Sequence, residues 1–148
     1  MYQGNFAINM DAKGRLAIPT KVRETLQSDC GGSIVVTANT TEKCLLVYPE
    51  PRWQQKLPEI KNLSSTNKRA ARIKRVVLGY ATALEVDEGN GRVLIPPTLR
   101  EYAGLEKKIV LVGQVDYLEL WSEENWQSYL DEEDDDEEMP ASLSEFSF

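Results

Sequence analysis

The sequence has 148 residues, 41% of them hydrophobic, which fits one soluble globular domain or two very small ones. It contains no histidine, so Ser-His-Asp and Cys-His catalysis and most zinc sites are excluded, and we expect no enzyme activity, no cofactor and no metal site. All 17 cations lie in residues 1–122 beside 13 acids, a net charge of +4, whereas residues 123–148 hold 11 acids and no cation. The formal charge of −7 therefore reflects the C-terminal segment, and the rest of the chain is mildly basic.

The compartment is predicted from the N-terminal residues and the cysteines. The chain begins without a basic stretch followed by an apolar run, and no apolar run approaches the length of a membrane span. Cys30 and Cys44 do not have a metal-site spacing, and two thiols in such a chain indicate a reducing compartment. We expect a cytoplasmic protein with no membrane association and no structural disulfide.

The chain contains two copies of one unit. The eleven residues 14–24 are matched by residues 91–101, with six identical positions. Two further blocks match, residues 34–36 with residues 109–111 and the region from Leu45 with the region from Leu118. The offset between the copies falls from 77 to 75 to 73, which is what two diverged copies with shortened loops would give.

The first copy begins with a predicted strand and helix. Residues 16–18 form a short aliphatic run after a turn rich in Asp and Gly, which favours a strand. Pro19 then fits the first turn of a helix, where a missing N–H group is tolerated. Val22 and Leu26, four residues apart, supply the apolar side of this helix.

A hairpin and a second helix complete the first copy. Residues 34–36 and 45–48 are apolar runs separated by a polar turn, which is typical of two antiparallel strands. The helix that follows carries Trp53 and Leu57.

The segment 58–80, which joins the copies, contains a basic predicted helix. It follows a polar cap region at residues 64–67 and has no acid between Glu59 and Glu85. One interpretation is a helix that binds phosphates or acidic groups. The alternative, which we favour, is a solvated face opposite a side that packs on the core through Ile73, Val76, Val77 and Tyr80. Its cations are Lys68, Arg69, Arg72, Lys74 and Arg75.

The second copy repeats the order of elements. Strands are predicted at residues 93–95, 109–112 and 118–121, with a helix after Pro96 and a last helix bearing Trp126 and Leu130. A unit of about 50 residues is marginal at burying its own core. We therefore expect the copies to share one core, with interleaved strands related by a pseudo-twofold axis.

The turn before the first strand of each copy is the candidate binding site. Asp11 and Glu88 each precede a Gly-Arg pair by three residues, and Arg15 and Arg92 enter the strands. Arginine beside a glycine suits contact with phosphate or with the O6/N7 edge of guanine. Equally, the acid and the arginine of each turn could form an ion pair with only a structural role. The extra cation Lys13 slightly favours binding in the first copy.

The chain ends in a strongly acidic segment. Residues 131–138 are eight consecutive acids, which repel one another and predict a disordered tail over residues 131–148. The four apolar residues beyond them either dock on a partner or have no binding role. They are Met139, Leu143, Phe146 and Phe148.

These segments together resemble the MraZ family of bacterial transcriptional regulators, in the SpoVT-AbrB superfamily. The resemblance rests on Asn-Phe-Ala-Ile-Asn-Met-Asp-Ala-Lys-Gly-Arg-Leu-Ala-Ile-Pro at the start, the basic Lys-Arg-Ala-Ala-Arg-Ile-Lys-Arg and the second Gly-Arg-Val-Leu-Ile-Pro, and it extends from residue 1 to about 130. It implies an α+β fold of two swapped-hairpin AbrB-like repeats interlaced around a shared β-barrel core, with flanking helices. The implied domains are residues 5–52 and 81–124, joined by a helical connection over residues 53–80.

The resemblance also implies a function. Members of the family bind direct repeats in the promoter of the division and cell-wall gene cluster as ring-shaped homo-oligomers, so we expect double-stranded DNA and further copies of this chain as partners, and a nucleoid-associated location. The implied DNA contacts are Lys13, Gly14, Arg15 and Arg92, supported by the motif acids Asp11 and Glu88. The alternative is an antitoxin-like protein-interaction module that uses the acidic tail.

Overall fold

Both copies have the same order of elements, two strands, a helix, two strands and a helix, in a computed structural model, which describes residues 1–132. The strands are β1 Asn5–Asn9, β2 Arg15–Ala17, β3 Ser33–Ala38, β4 Leu45–Pro49, β5 Thr82–Glu85, β6 Arg92–Leu94, β7 Lys108–Gly113 and β8 Leu118–Ser122. The helices are α1 Thr20–Cys30, α2 Glu50–Lys61, α3 Lys68–Tyr80, α4 Pro97–Ala103 and α5 Glu123–Asp131. The fold is mixed α+β, and each predicted strand and helix lies at its expected place in the chain.

The start of the first helix of each copy differs from the prediction by one residue. Pro19 is the N-cap of α1 with an extended backbone (φ −55°, ψ 143°), and the helix begins at Thr20. Pro96 likewise caps α4 with ψ 153°, and Pro97 is the first helical residue. In the second copy the reason is steric, because a residue that precedes a proline is disfavoured in the helical conformation.

Strands β1 and β5 were not predicted from the sequence. Both are short and alternate between exposed and partly buried residues, as in the pair Phe6 and Ile8 of β1. Their pairing explains why they form strands. Strand β1 pairs antiparallel with β7, and β5 pairs antiparallel with β3.

The strand pairings cross between the two copies. The six-stranded sheet has the order β1-β7-β8-β4-β3-β5, so β1 of the first copy lies beside the second hairpin and β5 of the second copy beside the first. Strands β2 and β6 form a separate two-stranded sheet, again with one strand from each copy. Neither sheet closes on itself within residues 1–132. The shared β-barrel core implied by the resemblance is therefore not confirmed as a closed sheet in this part of the chain, since β1 and β5 each pair along one side only.

The six-stranded sheet buries both of its faces. On one face, the main core lies between the sheet and the layer formed by β2, β6, α1 and α4, where Leu26, Leu99 and Leu120 are each at most 1% exposed. Burial of a leucine of this kind contributes about 1.5–3 kcal/mol. On the other face, α2 and α3 pack around Val35 and Tyr48, and α5 packs near Trp121. The β2–β6 ribbon and helix α3 therefore lie on opposite sides of the sheet.

Helix α3 follows the second interpretation of the basic stretch. Its N-cap, Asn67, accepts a hydrogen bond from the amide of Ala70 at 2.9 Å. Val77 is buried and Ile73 partly buried against the sheet, whereas most of the cations point into solvent. The local sequence thus separated the packed side from the charged side, because each repeats with helical spacing.

The last helix extends into the predicted tail. Helix α5 ends at Asp131, so this residue is helical although a disordered tail was predicted from residue 131. Residues 133–148, which hold the remainder of that prediction, lie outside the described residues. Leu130 is 55% exposed, whereas its counterpart in the first copy, Leu57, packs on the apolar residues around Val35 and Tyr48. Over residues 1–132, every helix is too short or too polar to cross a membrane.

Candidate nucleic-acid interface

The two-stranded ribbon of β2 and β6 presents two arginines on one exposed face. Its central pair, Leu16 and Val93, points into the core with 2% and 3% exposure. Side chains alternate along a strand, so the flanking pairs Arg15–Leu94 and Ala17–Arg92 point outward. Arg15 and Arg92 are diagonal neighbours on this face, a relation that places such residues about 7–8 Å apart.

The first turn holds its arginine with an aspartate. One carboxylate oxygen of Asp11 accepts the amides of Lys13 at 3.0 Å and Arg15 at 2.9 Å, and the other accepts Nε of Arg15 at 2.9 Å. Hydrogen bonding from the Arg15 amide, ahead of the other contacts, lowers the pKa of Asp11 below its usual value. The carboxylate is thus ionised at neutral pH, and the ion pair expected under the structural alternative is present.

That ion pair leaves the arginine able to bind a ligand. Only Nε of Arg15 is used, and neither Nη group has a hydrogen-bond partner within residues 1–132. The Arg15 side chain is 44% exposed. An arginine oriented through Nε and free at both Nη groups can form a two-pronged contact with a phosphate or a guanine edge. The structural and the binding interpretations of this turn are therefore compatible.

The second turn is closed by a different acid from the one predicted. Asp87, not Glu88, accepts the amides of Gly89 at 2.7 Å and Asn90 at 3.2 Å. The amide of Asp87 donates to the carbonyl of Arg92 at 2.8 Å, the bond that the first turn makes from its own aspartate. The turn is one residue longer than its counterpart, which an alignment on the shared Gly-Arg pair does not reveal. The Glu88–Arg92 ion pair, one of the two interpretations of this turn, is not formed, and Glu88 forms no ion pair with any residue in the range 1–132.

Each turn is fixed by the other copy through its glycine. Gly14 has φ +93°, and a Cβ atom there would lie 2.8 Å from the carbonyl oxygen of Ile95. The carbonyl of Gly14 accepts the amide of Ile95 at 2.9 Å, and the carbonyl of Gly91 accepts the amide of Ile18 at the same distance. Glycine is needed at these positions because only a residue without a side chain permits so close an approach.

Two further arginines border the turns, and sequence reasoning missed them. Arg100 of α4 lies against Gly14 and donates from Nε to the carbonyl of Ile95 at 3.0 Å. Arg23 of α1 lies against Gly91 in the equivalent way. The signal was available, because these two arginines are one of the six identical positions shared by the copies. They add positive charge beside the exposed ribbon face.

Comparison with known proteins identifies the family. The family model described as "MraZ protein, putative antitoxin-like" matches this chain twice, over residues 1–76 and 77–144. The chain belongs to the MraZ family. The two matches correspond to the two copies found in the sequence, and the MraZ repeat boundary falls within α3.

Similar proteins that carry the MraZ name match this chain over most of their length. The chain is 56% identical to "Transcriptional regulator MraZ" of Saccharophagus degradans over 143 residues, which cover 97% of both chains. It is 55% identical to the protein of that name from Marinobacter nauticus over 147 residues, 99% of this chain and 97% of the relative. The Shewanella baltica protein is 48% identical over 132 residues, 89% of this chain and 86% of the relative.

Proposed function

We propose that this chain is a transcriptional regulator that binds double-stranded DNA through the β2–β6 ribbon. The observation that carries the proposal is the outward face of the ribbon, with Arg15 and Arg92 on neighbouring strands over a buried Leu16–Val93 pair. A two-stranded β-ribbon fits the major groove of B-DNA, where side chains reach the base edges. The printed name of its MraZ relatives supports the regulatory role.

The residues of the first turn have different tasks in this proposal. Arg15 contacts a guanine edge or a phosphate through its Nη groups, while Asp11 orients it through Nε. Lys13 is exposed in the turn and supplies a phosphate contact. Gly14 is buried against Ile95, so it contributes by holding the turn in place and not by a direct contact with DNA. Arg92 adds a weaker contact because no carboxylate among residues 1–132 holds its guanidinium, and because the exposed Glu88 repels phosphate.

One ribbon makes too few base contacts to select a specific promoter. Each good bidentate base contact discriminates by about 1–3 kcal/mol. We therefore propose that several copies of the chain, as a ring-shaped homo-oligomer, engage direct repeats together, since linked sites raise overall affinity without new contacts. The target is the promoter of the division and cell-wall gene cluster, and the protein acts there without enzymatic activity, associated with the nucleoid.

The proposed domain organisation follows the pairings between the copies. Residues 5–52 and 81–124 form two SpoVT-AbrB domains, joined by residues 53–80. The exchange of β1 and β5 between the hairpins supports a swapped-hairpin arrangement. In this arrangement neither ribbon strand can form without the other domain, so the DNA contacts of both copies lie on one surface.

Selection from genomic DNA tests the function. The full-length protein is incubated with sheared DNA from its source organism, and the retained fragments are sequenced. We expect enrichment of a promoter that contains direct repeats, loss of that enrichment with Arg15→Ala, and its retention with Arg69→Ala, which removes an exposed cation from the opposite side of the sheet. Equal retention by the Arg15 variant, or fragments without a shared sequence, would contradict the proposal.

A further inference from the structure

Helix α3 carries a concentration of positive charge that nothing in the described chain neutralises. Of its five cations, four are exposed and Lys74 is half-buried, and none forms an ion pair within residues 1–132. Lys68 and Arg69 stand in the first turn, where there is no acid. The amino end of a helix carries a partial positive charge, so cations there are electrostatically unfavourable. An anionic partner would relieve this repulsion.

Apolar surface flanks these cations on both sides. A shallow groove of about 330 Å³ is lined in part by Lys74, Arg75 and Leu78, and Leu78 is 40% exposed. A second groove, of about 240 Å³, lies between α2 and α3, and its walls include Trp53 and Ile73. A ligand suited to this surface would combine several carboxylates with a few apolar side chains.

The chain's own C-terminal segment has that composition in that order. Residues 133–138 are all acidic, and Met139, Leu143, Phe146 and Phe148 follow them. The segment begins just beyond α5, which covers β7 and β8 on the same face of the sheet that α3 covers at β3. At about 4.8 Å per strand, these positions are roughly 10–15 Å apart across the sheet. Sixteen residues can span up to about 55 Å, so the segment reaches α3 easily.

Two other cationic surfaces fit the segment less well. Lys107 and Lys108 are closer to α5, but they share their cavity with Glu106, Glu123 and Glu124, so its cations do not exceed its acids. The ribbon arginines lie on the opposite side of the sheet from α5, the helix after which the segment begins. Helix α3 is thus the acceptor with unmatched positive charge and neighbouring apolar surface.

We propose that residues 133–148 dock on helix α3 of the same chain. The acidic run lies across the cations, and the apolar end enters the groove between α2 and α3. This docking covers the basic helix against phosphate groups and leaves the ribbon accessible. It does not depend on the function proposed for the ribbon, and it is tested without DNA.

Zero-length crosslinking of the full-length protein tests the contact. A water-soluble carbodiimide joins a lysine amine to a carboxylate only when the two touch, and Lys68 and Lys74 provide amines on α3. We expect crosslinks from residues 133–138 to these two lysines, identified by mass spectrometry of the digest. They should disappear in 1 M NaCl, where the screening length is about 3 Å. Crosslinks to Lys107 and Lys108 alone, or none to α3, would overturn the proposal.

Charge reversal and isotope labelling sharpen the test. Arg69→Glu, Arg72→Glu and Arg75→Glu together keep both reactive lysines but should lower their crosslinking roughly fivefold or more, because surface ion pairs add up when several form a network. The matched control, Lys107→Glu with Lys108→Glu, should leave it unchanged. In protein refolded from a mixture of ¹⁴N and ¹⁵N chains, the crosslinked peptides should carry a single isotope. Mixed-isotope products would show docking on another subunit and refute the same-chain assignment. If a variant does not fold, the crosslinks of the wild-type protein to Lys68 and Lys74 remain the test.

Discussion

Replacement of Arg15 by alanine should abolish tight promoter binding without unfolding the protein. The Arg15 side chain is 44% exposed and contributes to no core cluster, so we expect the free energy of unfolding to change by less than about 0.5 kcal/mol. The substitution removes the free Nη groups, which are the atoms proposed to contact DNA. A bidentate contact of this kind is worth about 1–3 kcal/mol, which is roughly a 5- to 150-fold loss for each engaged ribbon. Two ribbons on two repeats would multiply these factors.

Fluorescence anisotropy with labelled duplexes measures this effect. Duplexes with one and with two repeats, and a random duplex, are titrated at fixed salt and then across a salt series. Loss at the repeats with little change on random DNA indicates a base contact, whereas a uniform loss with a salt slope smaller by about one indicates a phosphate contact. Arg69→Ala is the matched control. An Arg15 variant with normal circular dichroism and unchanged affinity for the two-repeat duplex would refute the reasoning.

Three further predictions concern the turn and the thiols. Gly14→Ala places a side chain at φ +93° and 2.8 Å from a backbone carbonyl, so urea denaturation should show that the free energy of unfolding falls by about 1–3 kcal/mol or more. The control Gly31→Ala lies at φ +63° in open space and should lower it by only about 1 kcal/mol. Because the pKa of Asp11 is lowered in the folded state, its carboxylate stabilises the fold above the ordinary pKa of 3.8, and this contribution is lost as the pH falls through the folded pKa. The stability deficit of Asp11→Asn should therefore shrink on acidification. A deficit that stays constant with pH would contradict this prediction. Burial raises the pKa of Cys44 to about 12, so alkylation at pH 8 followed by mass spectrometry should modify Cys30 first, and equal rates would be inconsistent with the fold.

Local sequence patterns determined the order and type of the elements other than β1 and β5. Helix α1 shows this in the apolar spacing of Val22 and Leu26, and the hairpin of β3 and β4 shows it in two apolar runs around a polar turn. Both patterns involve only residues that are close together in the chain. The cap residue Asn67 marks the start of α3 in the same way. The duplication was also visible, and it correctly indicated a core shared between the copies.

The details of the candidate site depended on residues far apart in the chain. Asp87 closes the second turn in place of Glu88 because that turn is one residue longer, which only the hydrogen bonds reveal. Arg23 and Arg100 border the glycines of the opposite copy, a contact that no local pattern encodes.

The sequence by itself determined that two similar strand-and-helix units, a basic helix and an acidic end occur in this chain, because spacing and composition are local properties. Tertiary structure decided which strands pair, since β1, β5 and the ribbon each find their partner in the other copy. It also decided that neither sheet closes within the described residues 1–132, and that Arg15 and Arg92 share one exposed face while α3 lies on the opposite side of the sheet. The physical reason is that strand pairing and face assignment depend on backbone hydrogen bonds and burial between distant segments, and not on the residues next to each strand.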